Sequence, residues 1–159
     1  IAKRNNVPTI LNPAPAVTLP DEVYGLCDYF TPNETEASFL AGIPVETTEQ
    51  ASEAAQIFIE RGVKTAVITL GENGVYVQNS EISQHVPAFN MGDKVLETTG
   101  AGDAFNGGFA YALAEGMELT EAVSYGSATA AISVTRLGTA PAMPYKTEIQ
   151  ELLDSEKKQ

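Results

Sequence analysis

A chain of 159 residues, 43% hydrophobic and 19% charged, is long enough for one domain with a sizeable core and far from the composition of a disordered segment. The formal net charge of -12, from 21 acidic against 9 basic residues, disfavours binding to a nucleic-acid backbone. No apolar run approaches the roughly 20 residues of a membrane span, no signal peptide is recognisable, and the lone Cys27 excludes an internal disulfide, so the expectation is a cytoplasmic protein without a membrane role.

Taken in order, the chain alternates short β-type runs with longer helical periods. Ile1 to Asn6 reads as the end of a helix, and the expectation is a fragment whose N-terminal part is missing. Val7 to Leu11 predicts a strand, ended by the two prolines of Asn12-Pro13-Ala14-Pro15. A short helix around Asp21 to Leu26 and a strand at Tyr29-Phe30-Thr31 follow. Asn33 with Glu36, and Thr47 with Gln50, have the spacing of capping boxes and predict helices ending near Gly42 and Gly62. In the second helix Ala51, Ala54, Ala55, Phe58 and Ile59 recur on one face.

Thr65 to Leu70 is β-branched and predicts a buried strand, broken at Gly71-Glu72-Asn73-Gly74 and resumed at Val75-Tyr76-Val77 as a hairpin. Ser83 to Phe89 and Lys94 to Leu96 predict further short strands. Beyond residue 100 the pattern is helical. Phe105, Phe109, Ala112 and Leu113 line one helix, Thr120 to Arg136 is small and apolar on most sides and so predicts a buried helix, and Tyr145 to Leu153 predicts a terminal amphipathic one. This alternation points to an α/β layer with a largely parallel sheet flanked by helices.

The stretch Glu97-Thr98-Thr99-Gly100-Ala101-Gly102-Asp103-Ala104-Phe105-Asn106-Gly107-Gly108 carries the chemistry. Its glycines permit backbone conformations closed to other residues, and Asp103 falls where a helix begins. A dinucleotide fingerprint needs Gly where Phe105 stands, and a Walker A loop needs a lysine after its glycines, which is absent. What is left is a set of amides at a helix start beside one carboxylate. That combination suits phosphoryl transfer onto a hydroxyl, with Asp103 as base and the amides of Ala101, Gly102 and Asp103 taking up charge. An acid that only caps its helix is the alternative at this point.

The same stretch resembles the second signature of the ribokinase-like (PfkB) carbohydrate kinases. The resemblance extends in order through Leu11-Asn12-Pro13-Ala14-Pro15-Ala16, Thr31-Pro32-Asn33-Glu34-Thr35-Glu36-Ala37, Ile68-Thr69-Leu70-Gly71 and Val134-Thr135-Arg136-Leu137-Gly138. It implies a ribokinase-like α/β fold over residues 1–159, read as the nucleotide-binding and catalytic C-terminal portion of a kinase domain, without the family's sugar-binding first signature and lid. It also implies transfer of the γ-phosphoryl group of ATP to the primary hydroxyl of ribose. The alternatives are a relative acting on fructose, a nucleoside or a sugar phosphate, or a nucleotide-binding module without catalysis.

Carried over by residue, the resemblance makes Asp103 the base and Gly100, Ala101, Gly102 and Asp103 the anion hole. ATP would be held by Asn33, by Thr69, Gly71, Glu72, Asn73 and Gly74, by Gly102, and by Ser127 near the adenine. Glu36 would act on Mg²⁺ through water, and a K⁺ site would be formed by Glu97, Thr99, Ser133, Arg136, Gly138 and Ala142, several through backbone carbonyls. Glu97 stands where the family usually has Asp, and Ala142 where a hydroxyl is frequent. Homodimerisation is a further implication, through a lid that is not among these residues.

Overall fold

In the computed structural model, residues 1–156 are described; the last three residues of the expected 1–159 domain lie outside the described residues. The chain divides into two compact units, Ile1 to Val86 and the part from Pro87 onward.

The first unit holds the sheet. Its elements are β1 (Ile10–Leu11), α1 (Asp21–Tyr24), β2 (Tyr29–Phe30), α2 (Glu34–Ala41), α3 (Thr48–Glu60), β3 (Thr65–Thr69), β4 (Val75–Gln78) and β5 (Ser83–Val86). The strands follow one another across the sheet in chain order. β1, β2 and β3 are parallel, with Ile10 opposite Tyr29 and Tyr29 opposite Thr65. β4 and β5 add antiparallel partners, Val67 facing Val77 and Tyr76 facing His85. Parallel neighbours need a crossover, and α2 and α3 supply it between β2 and β3.

Both capping boxes form. Asn33 Oδ1 accepts from Glu36 N at 2.9 Å while Glu36 Oε2 accepts from Asn33 N at 2.8 Å, and Thr47 and Gln50 reciprocate in the same way at α3. The apolar face of α3 is buried at Ala51, Ala54, Ala55 and Phe58. Phe58 meets Phe30 edge-on at 5.0 Å and stacks with Tyr24 at 6.3 Å, so three aromatic rings centre this core. A fully buried phenylalanine is worth about 1.5–3 kcal/mol of apolar transfer. Arg61, just past α3, donates to the Leu40 carbonyl and lies 5.4 Å from the Tyr24 ring centre, fastening α1 and α2 to the end of α3.

The second unit is helical: α4 (Ala101–Ala114), α5 (Leu119–Ser133) and α6 (Lys146–Glu156). The expected buried helix is α5, with nine of its residues from Ala122 to Ser133 buried. It crosses α4 at glycines. A Cβ on Gly108 would lie 2.2 Å from Thr129 Oγ1, and one on Gly126 would lie 2.9 Å from the Phe105 carbonyl oxygen, so only glycine allows this approach.

Several expected boundaries move. The strand predicted from Val7 contracts to Ile10–Leu11, and Ala2–Asn5 is a short 3₁₀ turn ended by Asn6 at φ 54°. The run from Ser83 stops at Val86 because Pro87 has no N–H to continue the ladder. Lys94 to Leu96 is not a strand. Gly92–Lys94 forms a 3₁₀ turn, and the amides of Leu96 and Glu97 both donate to one carbonyl, that of Val134, which leaves no ladder to build.

Candidate active site

The candidate residues fall in both units, and each group has its own local geometry. In the first unit they gather at the carboxyl ends of β2 and β3, the place where open α/β sheets present ligand-binding groups. Asn33 lies three residues past the end of β2 and makes an isolated parallel bridge with Thr69, the last residue of β3; the Thr69 amide donates to the Pro32 carbonyl at 3.0 Å. The chain then turns sharply through Gly71 at φ 53° and Gly74 at φ 92°. Both values lie in the region glycine tolerates best, which the expected hairpin turn required. A Cβ on Gly71 would come within 3.4 Å of Glu34 Oε1, so the turn packs beside the start of α2. Asn33, Thr69, Gly71 and the Glu72-Asn73-Gly74 turn are therefore brought together.

Glu36 differs from the other acids of this unit. It is 7% exposed, and one carboxylate oxygen is committed to the Asn33 amide. Among the described residues no three His, Cys, Asp or Glu side chains form a cluster able to hold a metal ion. One carboxylate fits a hard cation that keeps its waters and arrives with substrate phosphates, as Mg²⁺ does, rather than an all-protein cage. His85, the chain's single histidine, is exposed, and its ring Nε2 lies within hydrogen-bond distance of the Asn73 carbonyl.

In the second unit, α4 begins at Gly100, which takes φ 82°, and no side chain caps the helix. The Ala101 amide is engaged, donating to the Thr98 carbonyl at 3.2 Å. The amides of Gly102 and Asp103 lie in the first turn, where no intrahelical carbonyl is in reach, and both residues are exposed. Such a terminus carries the positive end of the helix dipole, and a phosphate oxygen is its natural partner. Asp103 is the acid of this turn. Of the three amides expected to meet an anion, only that of Ala101 is engaged by a neighbouring turn carbonyl.

Ser127 sits on α5 and is 8% exposed, and its hydroxyl is a buried polar atom without a hydrogen-bond partner. A buried hydroxyl without a partner costs about 1–3 kcal/mol, which sets Ser127 apart from the other described buried side chains.

The positions implied for K⁺ are gathered only in part. Glu97 Oε2 accepts from the Gly138 amide at 2.9 Å, and the Ser133 carbonyl accepts from the Arg136 amide at 3.1 Å. Arg136 reaches instead to Glu148 on α6. Ala142 is buried and offers no side-chain oxygen. Of this set, one carboxylate oxygen of Glu97 is engaged by the Gly138 amide.

Three contributors were not visible as site residues in the sequence. Thr139 packs on Gly100, where a Cβ would meet its Cγ2 at 3.0 Å; Glu148 holds Arg136; and the Thr98 carbonyl takes the Ala101 amide. Thr98 lies within the stretch from Glu97 to Gly108 but acts through its main-chain carbonyl, and the first two lie outside the quoted motifs and join positions too far apart for a local signal.

Several known proteins are similar to this chain. The model of the pfkB family carbohydrate kinases matches residues 1–146, and the chain belongs to that family. A ribokinase of Haemophilus influenzae is 45% identical over 97% of this chain and 50% of its own length. A deoxyribokinase of Salmonella typhi is 36% identical over 95% of this chain and 49% of its length. Among solved structures, the Arabidopsis thaliana ribokinase complexed with ribose and ATP superposes with a TM-score of 0.89 at 35% identity, covering 95% of this chain and 49% of that one. The fold is thus ribokinase-like, and the chain spans about half the length of the curated relatives it matches.

Proposed function

We propose that this chain is the nucleotide-binding and catalytic portion of an ATP-dependent sugar kinase that transfers the γ-phosphoryl group to the primary hydroxyl of ribose. The observation that carries the reading is the start of α4: a left-handed Gly100, two first-turn amides and the Asp103 carboxylate on an exposed, uncapped helix end. Asp103 takes the hydroxyl proton as the sugar oxygen attacks the γ-phosphorus, the bond to the β-bridging oxygen breaks, and ADP leaves. The amides of Gly102 and Asp103 stabilise the charge on the transferring group. Asn33 binds phosphate oxygens, the Thr69 to Gly74 turn holds the nucleotide, and the Ser127 hydroxyl takes a polar atom of the adenine. Mg²⁺, when bound, neutralises phosphate charge, and Glu36 orients its water shell.

For K⁺, the proposal is the backbone carbonyls around Thr99, Ser133, Arg136, Gly138 and Ala142, since Ala142 has no side-chain donor and one Glu97 oxygen accepts from Gly138. The protein's own charge of -12 opposes both ATP and a nucleic-acid backbone, so ATP depends on local amides and the divalent cation. Among the described residues no helix is long and apolar enough to cross a membrane. A cytoplasmic location and a homodimer complete the proposal.

A second reading, 2-deoxyribose as the acceptor, is favoured by the deoxyribokinase relative at 36% identity. Calorimetry with Mg-ATP and a coupled ADP assay with ribose, 2-deoxyribose, fructose and a nucleoside test both. Turnover greatest with ribose is the expected result. Greater turnover with another acceptor replaces the substrate, and nucleotide binding without turnover on any of them reduces the chain to a binding module.

A further inference from the structure

The segment leading into α4 and the turn leaving α5 are stitched together by two main-chain bonds and one side chain. The Leu96 and Glu97 amides donate to the Val134 carbonyl at 2.8 and 3.2 Å, and the Glu97 carboxylate then reaches forward to the Gly138 amide, 41 residues on. Gly138 is exposed and takes φ 84°, outside any regular element, so its N–H has no ladder or helix to bond within. The next residue, Thr139, puts its methyl against Gly100, the cap position of α4. On the far side of the turn, Arg136 is anchored by Glu148, whose other oxygen accepts from the Tyr145 amide at 2.8 Å.

We propose that Glu97 is a positioning residue for the α4 N-terminus: by accepting from Gly138 it keeps Thr139 seated on Gly100 and so holds the Gly102 and Asp103 amides in place. The functional half of this inference rests on the sugar-kinase reading; the clamp itself does not. What the clamp needs from residue 97 is a hydrogen-bond acceptor of glutamate length, not a negative charge. A cation ligand would lose the Coulomb attraction that the charge supplies. Glu97→Gln therefore separates the two roles, because its amide oxygen can still accept from Gly138 while its charge is gone.

The test is residue-resolved amide exchange of this chain at Gly138 and at Ala101 to Asp103, for wild type, Glu97→Gln and Glu97→Ala, each in K⁺ and in tetramethylammonium. Exchange at both places should rise roughly tenfold or more in Glu97→Ala and stay within about threefold of wild type in Glu97→Gln, with the same values in either cation. Exchange in Glu97→Ala equal to wild type overturns the clamp. Protection that requires K⁺ in wild type and is lost equally in Glu97→Gln and Glu97→Ala also overturns it, and makes Glu97 a cation ligand. Should Glu97→Ala not fold, Glu97→Ser, too short to reach Gly138, takes its place: exchange equal to wild type overturns the clamp, and a rise at both places upholds it. Mg-ATP calorimetry on the same samples reads the kinase proposal separately: no binding with the exchange pattern as expected leaves the clamp standing and removes its catalytic purpose.

Discussion

At the start of α2, Asn33 and Glu36 cap each other, whereas at the start of α4 the cap position is Gly100 and no side chain takes part. Both are helix N-termini bearing an acid in the first turn, yet the chemistry they offer is opposite. In α2 the Glu36 amide and one of its carboxylate oxygens are engaged internally and the acid is buried; in α4 the acid is exposed beside first-turn amides without intrahelical partners. The difference teaches that a capped helix end presents side chains, while an uncapped one presents main-chain charge. Only the second can meet a negative charge as it develops on a reacting group.

The strongest way to break this comparison is at Asp103. If α4 supplies the base, Asp103→Asn should lower kcat of the active kinase by roughly 10²-fold or more, about 2.7 kcal/mol in barrier, with Mg-ATP affinity kept. Steady-state rates and calorimetry measure the two parts, and a mutant within twofold of wild type sinks the role.

The next effect concerns how α4 is held. Gly108→Ala places a methyl 2.2 Å from Thr129 Oγ1. Overpacking of about 1–3 kcal/mol should exceed the helix-propensity gain of up to about 1 kcal/mol, lowering the melting temperature. Adding Thr129→Ala should recover part of the loss, and additivity of the two mutations would show that they are not in contact.

At α2, Asn33→Ala removes one acceptor of the capping box and should cost about 1 kcal/mol of stability in denaturant unfolding, while Asn33→Asp keeps the acceptor and should cost less. A neutral Asn33→Ala would mean that the box is not a stabilising feature, and the contrast with α4 would lose its energetic basis.

The smallest effect lies at the opposite end of the sheet from Asn33. Asp28 accepts from the Thr9 amide and hydroxyl and pairs with Lys64, at the residues preceding β1, β2 and β3. The Lys64 hydrogen bond, followed by those from Thr9, holds the Asp28 carboxyl below its ordinary value of 3.8 against the opposing effect of burial. A carboxyl lowered in the folded state adds stability above its unfolded pKa and loses it as pH falls through the folded one. The stability gap between wild type and Asp28→Asn should therefore be present at pH 7 and shrink below about pH 4, and with Lys64 70% exposed it should not exceed about 1 kcal/mol. A gap that widens on acidification would reverse the assignment.

Much of this was legible from residues alone, and for a common reason. Capping boxes at Asn33 and Thr47, the Gly71 to Gly74 turn, the buried face of α3 and the start of α4 are all written within one or two turns of chain. Local hydrogen bonds and side-chain period decide them. The family resemblance followed from the same short motifs and is supported by the match over residues 1–146. Tertiary structure alone decided where Lys94 to Leu96 would go, since the carbonyl that captures the Leu96 and Glu97 amides belongs to Val134 at the end of another helix. It also decided that Gly108 and Gly126 would mark a helix crossing, and that Glu97 would spend its carboxylate on Gly138. Such partners are distant in sequence and carry no periodic or neighbouring signal, so only the folded chain brings donor to acceptor.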